Sequence, residues 1–209
     1  LYVSHNMATI RNLCTRCIVL DKGKIVFNGD VEKAVSIYMD QSSSELFAYY
    51  GKDFFLKKLY DTGMTAVEEM ELLNKHTARY HTGETMHLRI RWRAMADIKD
   101  VRFGISIKYI DAGNIGFAES PHTCSCQANA SYESTLAFEI SNLAEGIYYM
   151  HLCIYTQNEM GELQSIYETD KMYFEVMELD KGKIIWHRQY WGSIRLNSIK
   201  LLQNVCLET

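Results

Sequence analysis

The 209-residue sequence contains a single proline, Pro121, and has no long uninterrupted apolar run. Its apolar stretches are too short to cross a bilayer, since a helix needs about 20 apolar residues for that. Aspartate and glutamate (26) outnumber lysine and arginine (22), which gives a formal net charge of −4. The sequence therefore lacks the excess of positive charge that is typical of nucleic-acid-binding domains. With 47% hydrophobic and 23% charged residues, the composition indicates a globular protein with an ordinary core.

A metal site and a catalytic site are both poorly supported by the residue spacing. Cys14-x-x-Cys17 and Cys124-x-Cys126 could supply the two halves of a zinc site. However, no Cys or His pair with finger-like spacing lies near either of them. We therefore expect no metal, reduced and buried thiols, and a cytoplasmic protein. No Ser/His/Asp arrangement and no glycosidase-like pair of carboxylates is legible, which favours a binding module over an enzyme.

The first forty residues predict the order strand, helix, hairpin, helix. An apolar strand-like run at 1–3 is followed by apolar residues at helical spacing. Strands are then predicted at 17–20 and 25–27 around a tight turn, and a helix at 31–38 is capped by Asp30. These elements are too few to bury their own faces, so we expect them to be part of a larger α/β domain.

This stretch, YVSHNM…IRNLCTRCIVLDKGKIVFNGDVEKAVSIY, resembles the C-terminal end of the ATPase domain of ABC transporters. In that family a strand ends in Ser-His, and a helix then leads to an L-x-x-G-x-I-x-x-G hairpin, whose first three defined positions are matched by Leu20, Gly23 and Ile25. The resemblance implies that His5 is the switch-loop histidine near the γ-phosphate of ATP. A neutral imidazole at a strand end can hydrogen-bond a phosphate oxygen. Taken alone, His5 would be interpreted as an ordinary turn histidine; the forty-residue pattern as a whole favours the ATPase resemblance.

The sequence departs from the ATPase family by having no G-x-x-x-x-G-K-[S/T] phosphate loop. The signature motif and the Walker B carboxylates of the family would precede residue 1. We therefore expect residues 1–40 to be the C-terminal fragment of an ATPase domain that neither binds nor hydrolyses ATP by itself. ATP and Mg²⁺ would be cofactors of the longer parent protein, and His5 would act only there.

Residues 41–64 are predicted to be a linker or interface segment, because a run of three serines is followed by clustered apolar and aromatic residues. Such a cluster is more typical of packing against a neighbour than of ligand binding. From residue 65 to residue 180 the hydrophobic period changes to two, which predicts a mainly β fold, an antiparallel β-sandwich. An L-x-x-G-x-Y motif lies in this region, at Leu143, Gly146 and Tyr148. Strands are predicted at 66–73, 85–95, 101–110, 115–119, 134–140, 146–155, 164–168 and 171–177.

Alternation along the predicted strands separates core residues from candidate binding residues. Trp92 falls with the inward-facing set, so we expect it in the core. Aromatic faces pack against sugar rings, and Arg or His can donate hydrogen bonds to hydroxyl or acidic groups. The alternative is a charged sheet face with ordinary cross-strand pairs. The candidate glycan-binding residues, all expected on solvent faces, are Arg89, Arg91, Arg93, Tyr149, His151 and Tyr155.

The order of an ATPase end, a linker and a sandwich resembles the ATP-binding subunit of bacterial polysaccharide ABC exporters of the O-antigen or teichoic-acid type. In that group an appended immunoglobulin-like domain recognises the glycan to be exported. The resemblance implies a non-catalytic domain that binds a lipid-linked surface polysaccharide on the cytoplasmic face of the inner membrane. The implied partners are this glycan, a second copy in a homodimer and the membrane-spanning subunit. The aromatic tail at 181–209 could form a dimer contact or fold back on its own domain.

Two alternatives remain open at this point. The sandwich could bind no sugar and serve as a dimerisation or regulatory domain of the ATPase. It could also be a carbohydrate-processing enzyme with an unusual site, although the residues give little support for this. The identity of the glycan depends on loop geometry and is not legible in the sequence.

Overall fold

The computed structural model describes residues 1–3, 10, 13–42, 46–110, 113–121, 124–158, 160–178 and 192–194. His5 lies outside the described residues, as do most of the helix predicted after it and all of the 181–209 tail except 192–194. The chain contains the helix α1 (Val31–Ser42) and a short 3₁₀ helix (Phe54–Leu56). The strands are β1 (Cys17–Asp21), β2 (Lys24–Gly29), β3 (Tyr49–Tyr50), β4 (Lys58–Asp61), β5 (Thr65–Leu72), β6 (Arg79–His81), β7 (Thr85–Ala94), β8 (Ile98–Tyr109), β9 (Asn114–Glu119), β10 (Cys124–Cys126), β11 (Ser131–Glu139), β12 (Gly146–Gln157), β13 (Leu163–Thr169) and β14 (Met172–Met177).

The hairpin and helix predicted near the N-terminus are both present. Strands β1 and β2 pair antiparallel around a turn in which Lys22 and Gly23 have positive φ angles of 46° and 78°. The α1 helix begins after Asp30, whose Oδ1 accepts a hydrogen bond from the backbone N–H of Lys33 at 3.0 Å. This bond satisfies one of the free N–H groups of the first turn, so Asp30 is the predicted cap. No helix in the described part of the chain is long and apolar enough to span a membrane.

The remaining strands form two sheets packed face to face, which confirms the predicted mainly β sandwich. The smaller sheet has the order β11-β7-β5-β3. The larger sheet has the order β10-β8-β12-β13-β4, with β9 beside β8 and β14 beside β12, and with β6 joined in parallel to β14. All eight strands predicted between residues 65 and 180 are present. Strands β3, β4, β6 and β10 have only two to four residues, so they are too short for hydrophobic periodicity to indicate them.

The core lies between the two sheets and follows the predicted alternation. Trp92 is almost fully buried. Its ring makes an edge-to-face contact with the ring of Phe103, which belongs to the opposite sheet, and the ring centroids are 5.7 Å apart. Its indole N–H donates to the Ser134 hydroxyl at 3.1 Å, so the polar atom is satisfied within the sandwich. The same core continues back to Leu46 and includes Phe55, so the segment that precedes residue 65 packs as part of the sandwich.

The corner before β12 is held by a tyrosine. The Tyr148 hydroxyl donates to the backbone oxygen of Ala144 at 2.6 Å, which is the arrangement of the tyrosine corner in immunoglobulin-like folds. The Tyr148 ring stacks on Phe174 at 5.4 Å and meets Tyr109 edge to face at 5.0 Å. Gly146 has a φ of 147°, and a Cβ at this position would lie 2.7 Å from the Tyr109 ring. The L-x-x-G-x-Y motif is therefore a structural motif of this corner.

Gly146→Ala should lower the free energy of unfolding by about 1–3 kcal/mol, because the methyl group overlaps the Tyr109 ring and the φ angle disfavours an L side chain. The measurement is a urea unfolding curve of the full chain. The matched control is Gly116→Ala, since nothing lies within 4 Å of a Cβ built at Gly116. Equal stability losses in the two variants would contradict this account of the corner.

Candidate functional site

The three candidate arginines lie on the outer face of the smaller sheet, as their alternation in β7 predicts. Arg91 is about half exposed and sits between two carboxylates from the neighbouring strands. Its Nη1 lies 2.8 Å from Glu69 Oε1 on β5, and its Nε lies 2.8 Å from Glu133 Oε2 on β11. The hydrogen bond from Arg91 and the charge of its guanidinium hold the pKa of Glu133 below its ordinary value.

The other two arginines are paired in the same way. Arg89 forms an ion pair with Glu71, and the Arg93 guanidinium lies 3.7 Å from the Glu68 carboxylate. These contacts form a ladder of cross-strand charge pairs, the alternative considered for this face. Each guanidinium already has a carboxylate partner, so the face offers a ligand little unpaired positive charge.

The three candidates on β12 lie on the outer face of the larger sheet, on the opposite side of the sandwich from the arginines. The structure therefore does not bring the two candidate sets together. Tyr149 is half-buried, with the Lys171 ammonium 4.9 Å from its ring centroid and the Tyr173 ring 5.9 Å away. Burial raises the pKa of the Tyr149 phenol.

The expectation that His151 and Tyr155 face solvent is wrong: their side chains are 1% and 2% exposed. His151 lies where the neighbouring strand changes from β14 to β13, with its Nδ1 2.9 Å from the backbone oxygen of Thr169. Tyr155 lies beside the Phe117 ring and donates its hydroxyl to Glu119 Oε2 at 3.0 Å. Burial and this hydrogen bond raise the pKa of Tyr155 to about 12. Hydrophobic alternation along β12 assigned both residues to the correct, outer face of the larger sheet. It could not show that other side chains cover them there.

A cleft of about 530 Å³ opens beside Tyr149, between the segment that precedes β4 and the turn that joins β13 to β14. We call it the first cleft. The 3₁₀ helix positions one side of it: the Phe54 N–H donates to the Gly51 oxygen at 3.0 Å, and the Phe54 ring packs 4.6 Å from that of Tyr50. Its aromatic lining is Phe47, Tyr50, Phe54 and Tyr173, and its charged lining is Asp53, Lys57, Asp170 and Lys171.

The first cleft combines aromatic ring surfaces with lysine ammonium groups, which donate hydrogen bonds, and aspartate carboxylates, which accept them. Its volume falls in the range of pockets that hold small molecules. Aromatic faces bind the apolar side of a ring-shaped ligand, while ammonium and carboxylate groups bind its polar substituents. Among the described residues, no group of three or more His, Cys, Asp or Glu could hold a metal ion. The arrangement is suited to holding a polar cyclic ligand.

Sequence reasoning missed the first cleft. It noted the aromatic cluster at 46–59 but interpreted it as an interface segment. The lysines and aspartate between those aromatics were a usable signal, because a purely buried interface rarely contains them. The contribution of Asp170, Lys171 and Tyr173, more than 100 residues away, could not be recognised without the strand pairing.

Comparison with known proteins gives one family and one shared fold. Residues 57–186 match the family model described as "Wzt C-terminal domain". The solved structure described as "Crystal structure of the C-terminal domain of wzt" is similar with a TM-score of 0.57 and 14% identity. That match covers 73% of this chain and 96% of the other, and at this identity it shows the fold alone. A search of curated protein sequences finds no match.

Two other solved structures are more distant. A Niemann-Pick type C2 protein from Japanese carpenter ant aligns with a TM-score of 0.39 and 12% identity, covering 56% of this chain and 98% of its own. A β-glucosidase from Listeria innocua in complex with glucose aligns with a TM-score of 0.32 and 15% identity, covering 53% of this chain and 16% of its own. At these scores neither similarity carries an argument.

The charge ladder predicts that Arg91→Gln raises the pKa of Glu133, because the substitution removes the guanidinium that lowers it. The measurement is an NMR titration of the side-chain carboxyl groups. A lowered carboxyl pKa stabilises the fold above the pKa of the unfolded chain, and this contribution is lost as pH falls through the folded-state pKa. The variant should therefore lose stability near neutral pH and match the wild type in acid.

The control for this titration is Arg79→Gln, which breaks the ion pair with Glu175 on the other sheet. It should leave the Glu133 pKa where it is in the wild type. A Glu133 pKa that stays unchanged in Arg91→Gln would show that the ladder is not formed in solution.

Proposed function

The chain belongs to the Wzt C-terminal domain family, the C-terminal domain of the ATPase of polysaccharide ABC exporters, and we propose that its sandwich binds the polysaccharide to be exported. The resemblance identified from the sequence is confirmed at the level of this family. The proposed role is non-catalytic: the domain recognises a bacterial surface glycan so that it can be selected for transport.

The observation that carries this proposal is the composition of the first cleft. Sugar rings present C–H groups on one face and hydroxyl groups at their edges, so they favour aromatic walls with a charged rim. Tyr173 and Phe54 supply ring surfaces, and Asp170 and Lys171 supply an acceptor and a donor at the same opening. Tyr149 extends the aromatic surface through its contact with Tyr173.

The other candidates from the sequence fit this role less well. His151 and Tyr155 are too deeply buried to touch a glycan, so we assign them to the packing of the larger sheet. Arg89, Arg91 and Arg93 lie on the opposite face and are occupied by glutamates. Among these six residues, Tyr149 is therefore the one that we retain in the binding surface.

The N-terminal elements support attachment of the sandwich to an ATPase domain. The β1–β2 hairpin exposes Ile18, Leu20, Ile25 and Val26 by about half or more. Apolar side chains clustered on a short hairpin favour contact with further protein structure. In the proposed parent, ATP and Mg²⁺ bind to that domain with His5 near the γ-phosphate. The parent would work as a homodimer with a membrane-spanning subunit, on the cytoplasmic side, on a lipid-linked glycan of the O-antigen or teichoic-acid type.

A second candidate function, dimerisation of the ATPase without sugar binding, is favoured by one feature. A smaller cleft of about 180 Å³ lies where β9 and β11 form the edges of the two sheets, and its lining is mostly apolar, including Ile107, Phe117 and Phe138. In the described part of the chain, β11 pairs on one side only. A free edge above an apolar cleft is typical of a site where another strand adds.

Tyr173→Ala should weaken binding of the source organism's surface polysaccharide about tenfold, which corresponds to about 1.4 kcal/mol, because it removes one aromatic wall of the first cleft. The measurement is isothermal titration of the full chain, with an unrelated glycan as specificity control. The matched variant is Tyr60→Ala, which removes an exposed tyrosine outside the cleft and should bind like the wild type. Absence of saturable binding by the wild-type chain would transfer the assignment to the dimerisation function.

A further inference from the structure

Phe47 separates the first cleft from another opening of similar size. This second cleft has a volume of about 450 Å³, and of the residues that the structure describes, Phe47 is the one lining residue that it shares with the first cleft. Phe47 lines both clefts and is 52% exposed, although its neighbours Leu46 and Ala48 are buried. The exposed half of the Phe47 ring is therefore available to a ligand in either cleft.

The backbone that carries Phe47 is fixed on both sides. Phe47 forms a β-bridge with Thr77, and the Leu46 oxygen accepts a hydrogen bond from the Ala78 N–H at 3.1 Å. The Ala48 oxygen accepts another from the Leu72 N–H at 2.7 Å. The ring also meets Tyr50 edge to face, with 6.1 Å between centroids. Phe47 is therefore a rigid divider, and such preorganisation lowers the entropic cost of binding a ligand.

The second cleft has the same kind of lining as the first. Tyr49 is 55% exposed, and its hydroxyl donates to Glu69 Oε2 at 3.1 Å, which fixes the ring. Arg79 is held by Glu175, with Nε and Oε2 2.9 Å apart, and retains further N–H groups at its half-exposed end. His76 adds an exposed imidazole to the lining. Aromatic surface next to polar donors again suits a sugar ring.

We propose that Phe47 divides one extended glycan-binding surface into two subsites, so that the domain binds consecutive sugar units of a chain rather than a single sugar. This inference rests on the proposed glycan-binding function. One unit lies in the first cleft against Tyr173, another lies in the second cleft against Tyr49, and the chain crosses Phe47 between them. A polymer can fill both subsites, whereas a single sugar fills one.

The two-subsite surface predicts a dependence of affinity on chain length. Once one unit is bound, the next is held near its own subsite at high effective concentration, so the second contact adds affinity at little entropic cost. An oligosaccharide long enough to cross Phe47 should bind at least about tenfold more tightly than a single repeating unit. Removal of the divider should abolish most of this gain.

The test uses the full chain and oligosaccharides of graded length, prepared by partial acid hydrolysis of the source organism's surface polysaccharide. Titration calorimetry compares the shortest fragments with fragments of several repeating units. His76→Ala should weaken binding of the long fragments about tenfold and leave the short-fragment affinity of the first cleft nearly unchanged, because His76 lines the second cleft and not the first. Phe47→Ala alters the lining of both clefts, so it should weaken binding of the short fragments and weaken binding of the long fragments further. Tyr173→Ala should weaken the binding of both. Tyr60→Ala, which removes a half-exposed aromatic residue outside both clefts, is the matched control.

The outcomes separate this inference from the function on which it rests. Equal affinity of the wild type for short and long fragments would overturn the two-subsite surface while leaving glycan binding in place. An unchanged length dependence in both Phe47→Ala and His76→Ala would overturn it as well. Failure of the wild type to bind fragments of any length would overturn both proposals. Thermal unfolding of each variant establishes that a loss of binding is not a loss of the fold.

Discussion

The pairing of β12 with two different neighbours is the constraint on which the candidate site depends. Its first half pairs with β14 and its second half with β13, so the chain must turn between Thr169 and Met172 directly beside β12. Fully buried Thr169 holds this turn: its hydroxyl accepts the Leu152 N–H, and its backbone oxygen lies 2.9 Å from His151 Nδ1. The turn presents Asp170 and Lys171 to solvent and forms one side of the first cleft. His151 therefore lies beneath the candidate binding surface and contacts the turn that forms it, whereas the sequence had predicted that His151 would be part of that surface.

The other side of that cleft comes from the segment between α1 and β4, which is built into the sandwich. Tyr50 and Phe55 pack in the common core, while Phe47 and Phe54 remain accessible around them. Alternate residues of β3 and of the segment before it point into the core, and this packing fixes the backbone. The residues between them are therefore held pointing outward. The rigidity of the candidate site therefore derives from the same packing that closes this end of the sandwich.

Hydrophobic alternation predicted much of this structure and failed in ways that have physical reasons. Met86, Leu88, Ile90 and Trp92 define the inner face of β7 because a strand places every second residue on one side. The same rule assigned Tyr155 to the outer face correctly, but it could not show that Phe117 from β9 would cover it. The arginines were correctly placed, yet their glutamate partners depend on the pairing of β5 and β11 with β7. The first cleft joins residues about 120 positions apart, so no local pattern could reveal it.

The most direct test of the central claim is an NMR chemical-shift map of the full chain as oligosaccharides of its own polysaccharide are added. The account predicts the largest perturbations at Phe47, Phe54, Lys171 and Tyr173. Along the Arg89–Arg93 face of the smaller sheet it predicts only small changes near Glu69, whose carboxylate contacts Tyr49 of the second cleft. Perturbations confined to that arginine face would contradict the assignment of the site. The same holds for perturbations confined to the apolar cleft between β9 and β11.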